Sequence, residues 1–309
     1  MSTTKPKADP TGMQRGDYSS SGLPPTFFFL GRLINLPLQL AILTSSPFSK
    51  IFPRPPPPSG GAPILLHIPS LMAPFLGRLL PLTTSATTVS LKLTPYQAII
   101  TTMSVVWVAK HLIWITYLRR ERLTWHFAFF GTIADGVFEG LEYLAFTFAA
   151  VNPFWSPSLL YLGAAMHIPA VLLELGAEVH RKIFKDDPKN KGKLCTTGAW
   201  GLGMSFILKA FQISILSSGS SILVRRRTIA DSEHIIARHI NYGCNMIYGF
   251  AFGMACGGIP VGIIFGGVYV MNFMYNAGPS IEEYCQDRYR EKWDAYCKKV
   301  PYKYIPWLL

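Results

Sequence analysis

Charge is what this sequence has least of. Only 15% of its 309 residues are Asp, Glu, Lys or Arg, while half are hydrophobic. A soluble domain carries about 25% charged residues. The shortage excludes an ordinary soluble enzyme and makes lipid the solvent for much of the surface. Acids are scarcer than bases, 17 against 29, which gives a net charge of +12. The bases sit at the ends of apolar segments rather than on one polar domain. That excludes nucleic acid as a partner and fits the positive-inside bias of membrane proteins. Cysteines are few: Cys195, Cys244, Cys256, Cys285 and Cys297. No two form a CxxC pair and their number is odd, so neither a disulfide framework nor a metal site is supported. No run reads as a cleavable signal peptide, which leaves the first apolar segment as an uncleaved anchor.

The apolar segments are long enough to cross a bilayer, which takes about 20 residues per helix. Phe27 to Leu43 is apolar but carries Arg32 and Asn35. Residues 52–61, FPRPPPPSGG, form a linker that proline keeps from being helical. Ile64 to Leu82 is a weak span containing Pro69, Pro74 and Arg78. Gln97 to Leu118, Phe127 to Val151 and Ser156 to Ala177 are stronger. Asn245 to Tyr275 is too long for one crossing, and the GGIP at Gly257 to Pro260 folds it into a hairpin. These segments predict an all-α, polytopic membrane bundle of about six to eight transmembrane helices. Residues 1–25 are expected to be disordered, 26–95 to be anchor segments and 96–309 to be the main membrane domain. Residues 201–235 stand apart as an atypical, serine-rich and then basic insert, such as a retained intron would encode. The basic loops at Arg119–Arg122 and His180–Lys193 orient the bundle and place the C-terminal tail in the cytoplasm.

The stretch ARHINYG gathers Arg238, His239, Asn241 and Tyr242 in front of an apolar run. In the tail, Glu282 and Glu283 precede Tyr289, Trp293 and Tyr296, whose spacing of four and three puts them on one face of an amphipathic helix. Arginine beside such a helix suits a phosphate, because it is permanently charged and can donate two parallel hydrogen bonds.

The elements FKDDPKNKGKL, TGAW, ARHINYG, EEYC, RYREKW and VPYKYIP together resemble the C-terminal domain shared by steroid 5-alpha-reductases, sterol C14 reductases and DUF1295 membrane proteins. The resemblance covers roughly residues 170 to 309, less 201–235. It implies an endoplasmic-reticulum enzyme that uses NADPH to reduce a carbon–carbon double bond in a lipid drawn from the bilayer. It carries Arg238, His239, Asn241 and Tyr242 over to the cofactor motif and Trp200 to the tryptophan before it. Lys185 and Lys193 correspond to the basic loop, and Glu282, Cys285, Tyr289, Trp293 and Tyr296 to the tail. Three positions depart from the pattern. Asn245 stands where sterol reductases place an acid, Ser280 and Ile281 replace an Arg-Asp pair, and residues 201–237 separate Trp200 from Arg238. The isoprenylcysteine carboxyl methyltransferases share a similar arrangement with S-adenosylmethionine as cofactor, although Ile240 replaces their proline. A non-catalytic membrane protein that keeps the fold is the third reading.

The helix ADGVFEGLEYLAF presents Asp135, Glu139, Glu142 and Tyr143 on one face. Acids at bilayer depth are expensive and mark candidate functional sites. Glu139, Glu142 and Tyr143 are therefore the candidate proton donors, and hydrogen bonding to His111 or His167 is the competing role for this face.

Overall fold

Helix starts in this chain are written in hydroxyls and prolines. Thr94 accepts from the Gln97 amide, while the Gln97 side chain accepts from the Thr94 amide, closing a capping box just ahead of Pro95. Thr124 and Ser156 cap the next two helices in the same way. Such caps satisfy amides that a helix leaves unpaired at its first turn. The computed structural model describes residues 12–44, 55–85, 88–196, 237–305 and 308. Among these, six long helices form the bundle: α1 (Pro24–Thr44), α2 (Pro95–Ile113, prolonged by a wider turn to Leu118), α3 (Trp125–Thr147), α4 (Pro157–Asp186), α5 (Ile240–Gly257) and α6 (Ile259–Asn272). Four stretches are long and apolar enough to cross a membrane: Pro24–Thr44, Pro95–Leu118, Pro157–Asp186 and Ile259–Tyr289. The chain is an all-helical membrane protein apart from small sheets.

The helices alternate in direction. Ser21, before α1, accepts from Arg119 at the end of α2, and the Gln97 side chain at the start of α2 donates to the Leu43 carbonyl near the end of α1. At that far end Asn152 and Trp155 reach the carbonyls of Gly257 and Ala255. The opposite end therefore gathers the loop after α2, the loop after α4, the start of α5 and the whole tail. The break between α5 and α6 is Gly258, at φ 83°, where a Cβ would also overlap the Phe154 carbonyl. Trp107 lies at the centre, its ring within 5.2–5.7 Å of Tyr248, Phe252 and His167.

Three expectations need correction. Ile64 to Leu82 is not a span. Ile64–Ile68 is a strand, paired antiparallel with Val89–Leu93, which also pairs with Leu82–Thr84. Pro63 and Pro69 bracket a run too short for a helix, and Leu91 and Leu93 pack on Leu40, Leu76 and Leu80 instead. Residues 12–23 are not loose. Met13–Gln14 pairs antiparallel with Arg122–Leu123, and several further bonds tie this segment down. The tail is not one helix. Gly278–Tyr289 (α7) and Glu291–Lys299 (α8) are separated at Arg290, a non-glycine residue at φ 48°. The insert 201–235, Trp200, residues 1–11 and the start of the 52–61 linker lie outside the described residues. The linker from residue 55 onward is non-helical, as expected.

Candidate functional site

The tail returns to the start of α5 and locks there. Ala237 bridges to Tyr302 in parallel, and the amides of Arg238 and His239 donate to the carbonyls of Tyr302 and Lys303 at 3.0 and 2.8 Å. Gly243 makes room for this return, because a Cβ there would overlap the Tyr304 carbonyl. The Tyr304 hydroxyl donates to the Phe273 carbonyl at 2.9 Å. Arg238 is buried and fully engaged. Its Nη1 donates to the carbonyls of Val300 and Pro301, and its Nε donates to Glu282 at 3.2 Å. His239 Nε2 lies 2.6 Å from the same carboxylate oxygen. A carboxylate only accepts, so Nε2 carries the proton. Burial holds the His239 imidazole below its usual range, against the Glu282 carboxylate, which pulls it upward.

Beneath this lock lies a cavity of about 1280 Å³. Its lining joins two chemistries. At the mouth stand Asn241, Tyr242, Lys185, Tyr289, Trp293 and Tyr296, residues that the sequence marks for the cofactor. Tyr242 stacks on Phe273 with centroids 4.4 Å apart. Lys185 donates to the Tyr289 hydroxyl at 2.9 Å and to the Lys193 carbonyl. Of the remaining cofactor candidates, Glu282 holds Arg238 and His239, Lys193 contributes that carbonyl, and Trp200 lies outside the described residues. Tyr289 and Trp293 sit on different helices yet face one space. Two buried atoms of the lining, Asn241 Oδ1 and the Tyr296 hydroxyl, have no hydrogen-bond partner among the described residues. Buried polar groups are nearly always paired, so these two suit a ligand bearing polar groups. Nine cationic side chains and four carboxylates line the cavity, and most of the cations stand near the mouth.

Deeper, the cavity runs between α3 and α6, past Phe130, Ala134, Ile264 and Gly267. Phe130 and Ile264 are strongly exposed on the bundle's outer face. Here Lys110 on α2 forms an ion pair with Glu174 on α4 at 2.8 Å and donates to the Tyr248 hydroxyl at 3.1 Å. Tyr248 donates to Asn245, which donates to the Asn241 carbonyl at 2.6 Å. A continuous polar chain thus links a buried lysine to the ARHINYG motif. Asn245, the departure from the sterol-reductase pattern, is one link of it, and Glu174 brings a carboxylate to the same network from the neighbouring helix. Sequence reasoning passed over Lys110, Glu174 and Tyr248, although a lysine and an acid inside apolar spans are signals in themselves.

The acidic face of α3 points elsewhere. Glu139 pairs with Arg32 at 2.6 Å and accepts from Asn35 and Gln39 on α1. Glu142 is buried near it, and the Tyr143 hydroxyl donates to Ser104 at 2.7 Å. None of these three lines the cavity. Asp135 does, with Arg32 at 3.4 Å and His111 at 3.7 Å. Among the described residues no group of three His, Cys, Asp or Glu side chains is placed to hold a metal ion.

Two family models match. The Ergosterol biosynthesis ERG4/ERG24 family matches residues 217–309, beginning inside the stretch set apart as an insert, and the DUF1295 family matches residues 142–203. Together they are consistent with the steroid-reductase-like DUF1295 superfamily. Among curated proteins, the chain is similar to the "Probable O-methyltransferase ustE" of Ustilaginoidea virens, 25% identical over 89% of this chain and 82% of that protein. It is also similar to two Delta(14)-sterol reductases. That of Dictyostelium discoideum is 29% identical over 36% of this chain and 21% of its own length. That of Arabidopsis thaliana is 23% identical over 56% of this chain and 42% of its own length. The chain therefore spans less than half of either sterol reductase. No solved structure matches it.

Proposed function

We propose that this membrane protein, a relative of sterol reductases, is an NADPH-dependent reductase of a carbon–carbon double bond in a membrane lipid of steroid, sterol or polyprenoid type. The observation that carries this reading is a cavity that joins a cationic, aromatic mouth to an apolar inner end beside buried ionisable groups. Arg15, Lys185, Lys191 and Arg288 at the mouth suit phosphates. Asn241 and Tyr296 offer polar atoms, and Tyr242 and Trp293 offer ring faces for the nucleotide. When bound, NADPH supplies a hydride. The protein's task is then to hold the lipid and give a proton to the carbon that receives no hydride.

Tyr248 is the donor in this reading. Tyr248 lines the cavity, and its hydroxyl accepts from Lys110, whose charge stabilises the phenolate left after transfer. Glu174 keeps Lys110 in place. Glu139 and Glu142 act in this reading by positioning Arg32 and α1, and Tyr143 by joining α3 to α2. The apolar wall between α3 and α6 receives the lipid from the bilayer. The positive-inside rule puts the mouth, with the tail, in the cytosol, and the sterol-reductase likeness favours the endoplasmic reticulum.

A second reading has its own support. The relative that covers most of this chain is named an O-methyltransferase, and an S-adenosylmethionine sulfonium could rest on the same aromatic rings. The excess of cations at the mouth favours the polyanionic nucleotide. The test is thermal stability of the full chain in detergent with NADPH, NADH or S-adenosylmethionine, because a ligand that binds only the folded state stabilises it. A shift with NADPH supports the reductase. A shift with S-adenosylmethionine alone replaces it with the methyltransferase, and no shift with any of the three supports a non-catalytic protein.

A further inference from the structure

The N-terminal segment before α1 crosses the mouth as a strap. Its outer edge is bound to the α2–α3 loop. Thr124 donates to the Gly12 carbonyl at 2.7 Å, and the Arg122 amide to the Asp17 carbonyl at 2.8 Å. The Gly16 amide donates to Glu121 at 3.1 Å, while Arg119 and the Leu123 amide both donate to the Ser21 hydroxyl. Gly12 and Gly16, at φ 82° and 78°, set its path where other residues would be strained. A Cβ on Gly12 would also press on the start of α3.

The inner edge faces the cavity. Met13, Arg15 and Tyr18 all line it, and Arg15 Nη2 donates to the Tyr242 hydroxyl at 3.3 Å, joining residues 227 positions apart. The same mouth holds Lys185, Lys191, Arg181 and Arg288. Glu178 offsets Arg181 and Glu121 holds the Gly16 amide, yet cations still outnumber carboxylates at this mouth, and Arg15 adds one more to it. An element that breaks a local rule in this way marks a functional site. An arginine fork matches a phosphate through two parallel charge-assisted bonds.

We infer that the strap, residues 12–21, is a wall of the nucleotide site and that Arg15 is a ligand for a phosphate of the bound nucleotide. This deepens the reductase reading and rests on it. The strap belongs to the site in a second sense, since whatever Arg15 grips also draws the strap onto Tyr242 and the tail.

The experiment uses the full chain in maltoside micelles without added phospholipid. Affinities for NADPH and for inorganic pyrophosphate are measured by titration for the wild type, Arg15→Gln, Arg15→Lys and Lys92→Gln, the last removing an equal charge from the far-end sheet. Trypsin cleavage of the Arg15–Gly16 bond in the wild type is followed with each probe. The expected result is protection by both probes, a loss of roughly ten-fold or more in affinity for Arg15→Gln, partial rescue by Arg15→Lys and no change for Lys92→Gln. NADPH bound equally by the wild type and Arg15→Gln overturns the role of Arg15 and leaves the reductase reading standing. Pyrophosphate binding that depends on Arg15, without NADPH binding, overturns the nucleotide reading and keeps the anion site. Binding of neither probe overturns both. Competition of pyrophosphate by anionic phospholipid, with NADPH unable to compete, would assign Arg15 to a lipid headgroup and overturn its role toward the nucleotide.

Discussion

Arg238 and Glu282 meet side by side at the mouth, Nε to Oε1 at 3.2 Å, and the same oxygen takes His239 at 2.6 Å. With its Nη1 on the carbonyls of Val300 and Pro301, Arg238 acts as the clasp of the tail. Arg238→Gln should therefore weaken NADPH and NADH to a similar degree and expose α8 to protease. Limited proteolysis with paired titrations checks this. Loss of the NADPH preference alone, with the tail still protected, would make Arg238 a phosphate ligand instead.

The buried pair Arg32 and Glu139 should behave as a unit. Removing one partner leaves an unpaired charge in the bundle, a loss of about 3–5 kcal/mol. Arg32→Met should sharply lower the thermal midpoint in detergent, and Arg32→Met with Glu139→Gln should recover much of it. A double variant as weak as the sum of the singles would show that the pair is not coupled.

Tyr248→Phe keeps the ring and removes the hydroxyl. In a reductase assay on a sterol or polyprenoid substrate, turnover should fall by roughly a hundred-fold or more, while the NADPH-induced thermal shift stays. Glu139→Gln is the comparison, and it should leave turnover within a few-fold after correction for stability. The reverse pattern would return the proton to the α3 acids.

His239 gives a pH signature. Its folded-state pKa is lowered by burial, so as pH falls the unfolded chain takes up this proton first. The contribution of His239 to stability is constant above about pH 6.5 and declines below it. The difference in thermal midpoint between wild type and His239→Gln, followed from pH 8 to pH 5, should narrow at the acid end. A constant difference would mean that the imidazole is protonated alike in both states.

The crossing helices were legible because apolar length is a local signal. Gln97 to Leu118 falls inside α2 with its wider last turn, Ser156 to Ala177 covers the cap and first two thirds of α4, and GGIP marks the turn at Gly258. The Ile64–Leu82 error arose because a strand bracketed by prolines and a broken apolar helix have the same composition. The mouth residues Asn241, Tyr242, Tyr289, Trp293 and Tyr296 were readable from short motifs. Their partners were not, since Arg15 lies 227 residues from Tyr242 and Lys110 meets Glu174 only through helix packing. The direction of an acid around its helix was equally hidden. Spacing put Asp135 and Glu139 on one face, but only the position of α1 decides which of them faces the cavity.

Arg32 has a meaning for biogenesis. It lies on α1, which is made well before α3, and an arginine at mid-membrane costs about 2.5–3.5 kcal/mol on insertion scales. Its carboxylate partners, Asp135 and Glu139, lie on α3 and are made much later. Arg32 meets these partners only once α3 lies beside α1. A chain stopped before α3 should therefore integrate α1 poorly, as membrane-integration assays of truncated chains would show.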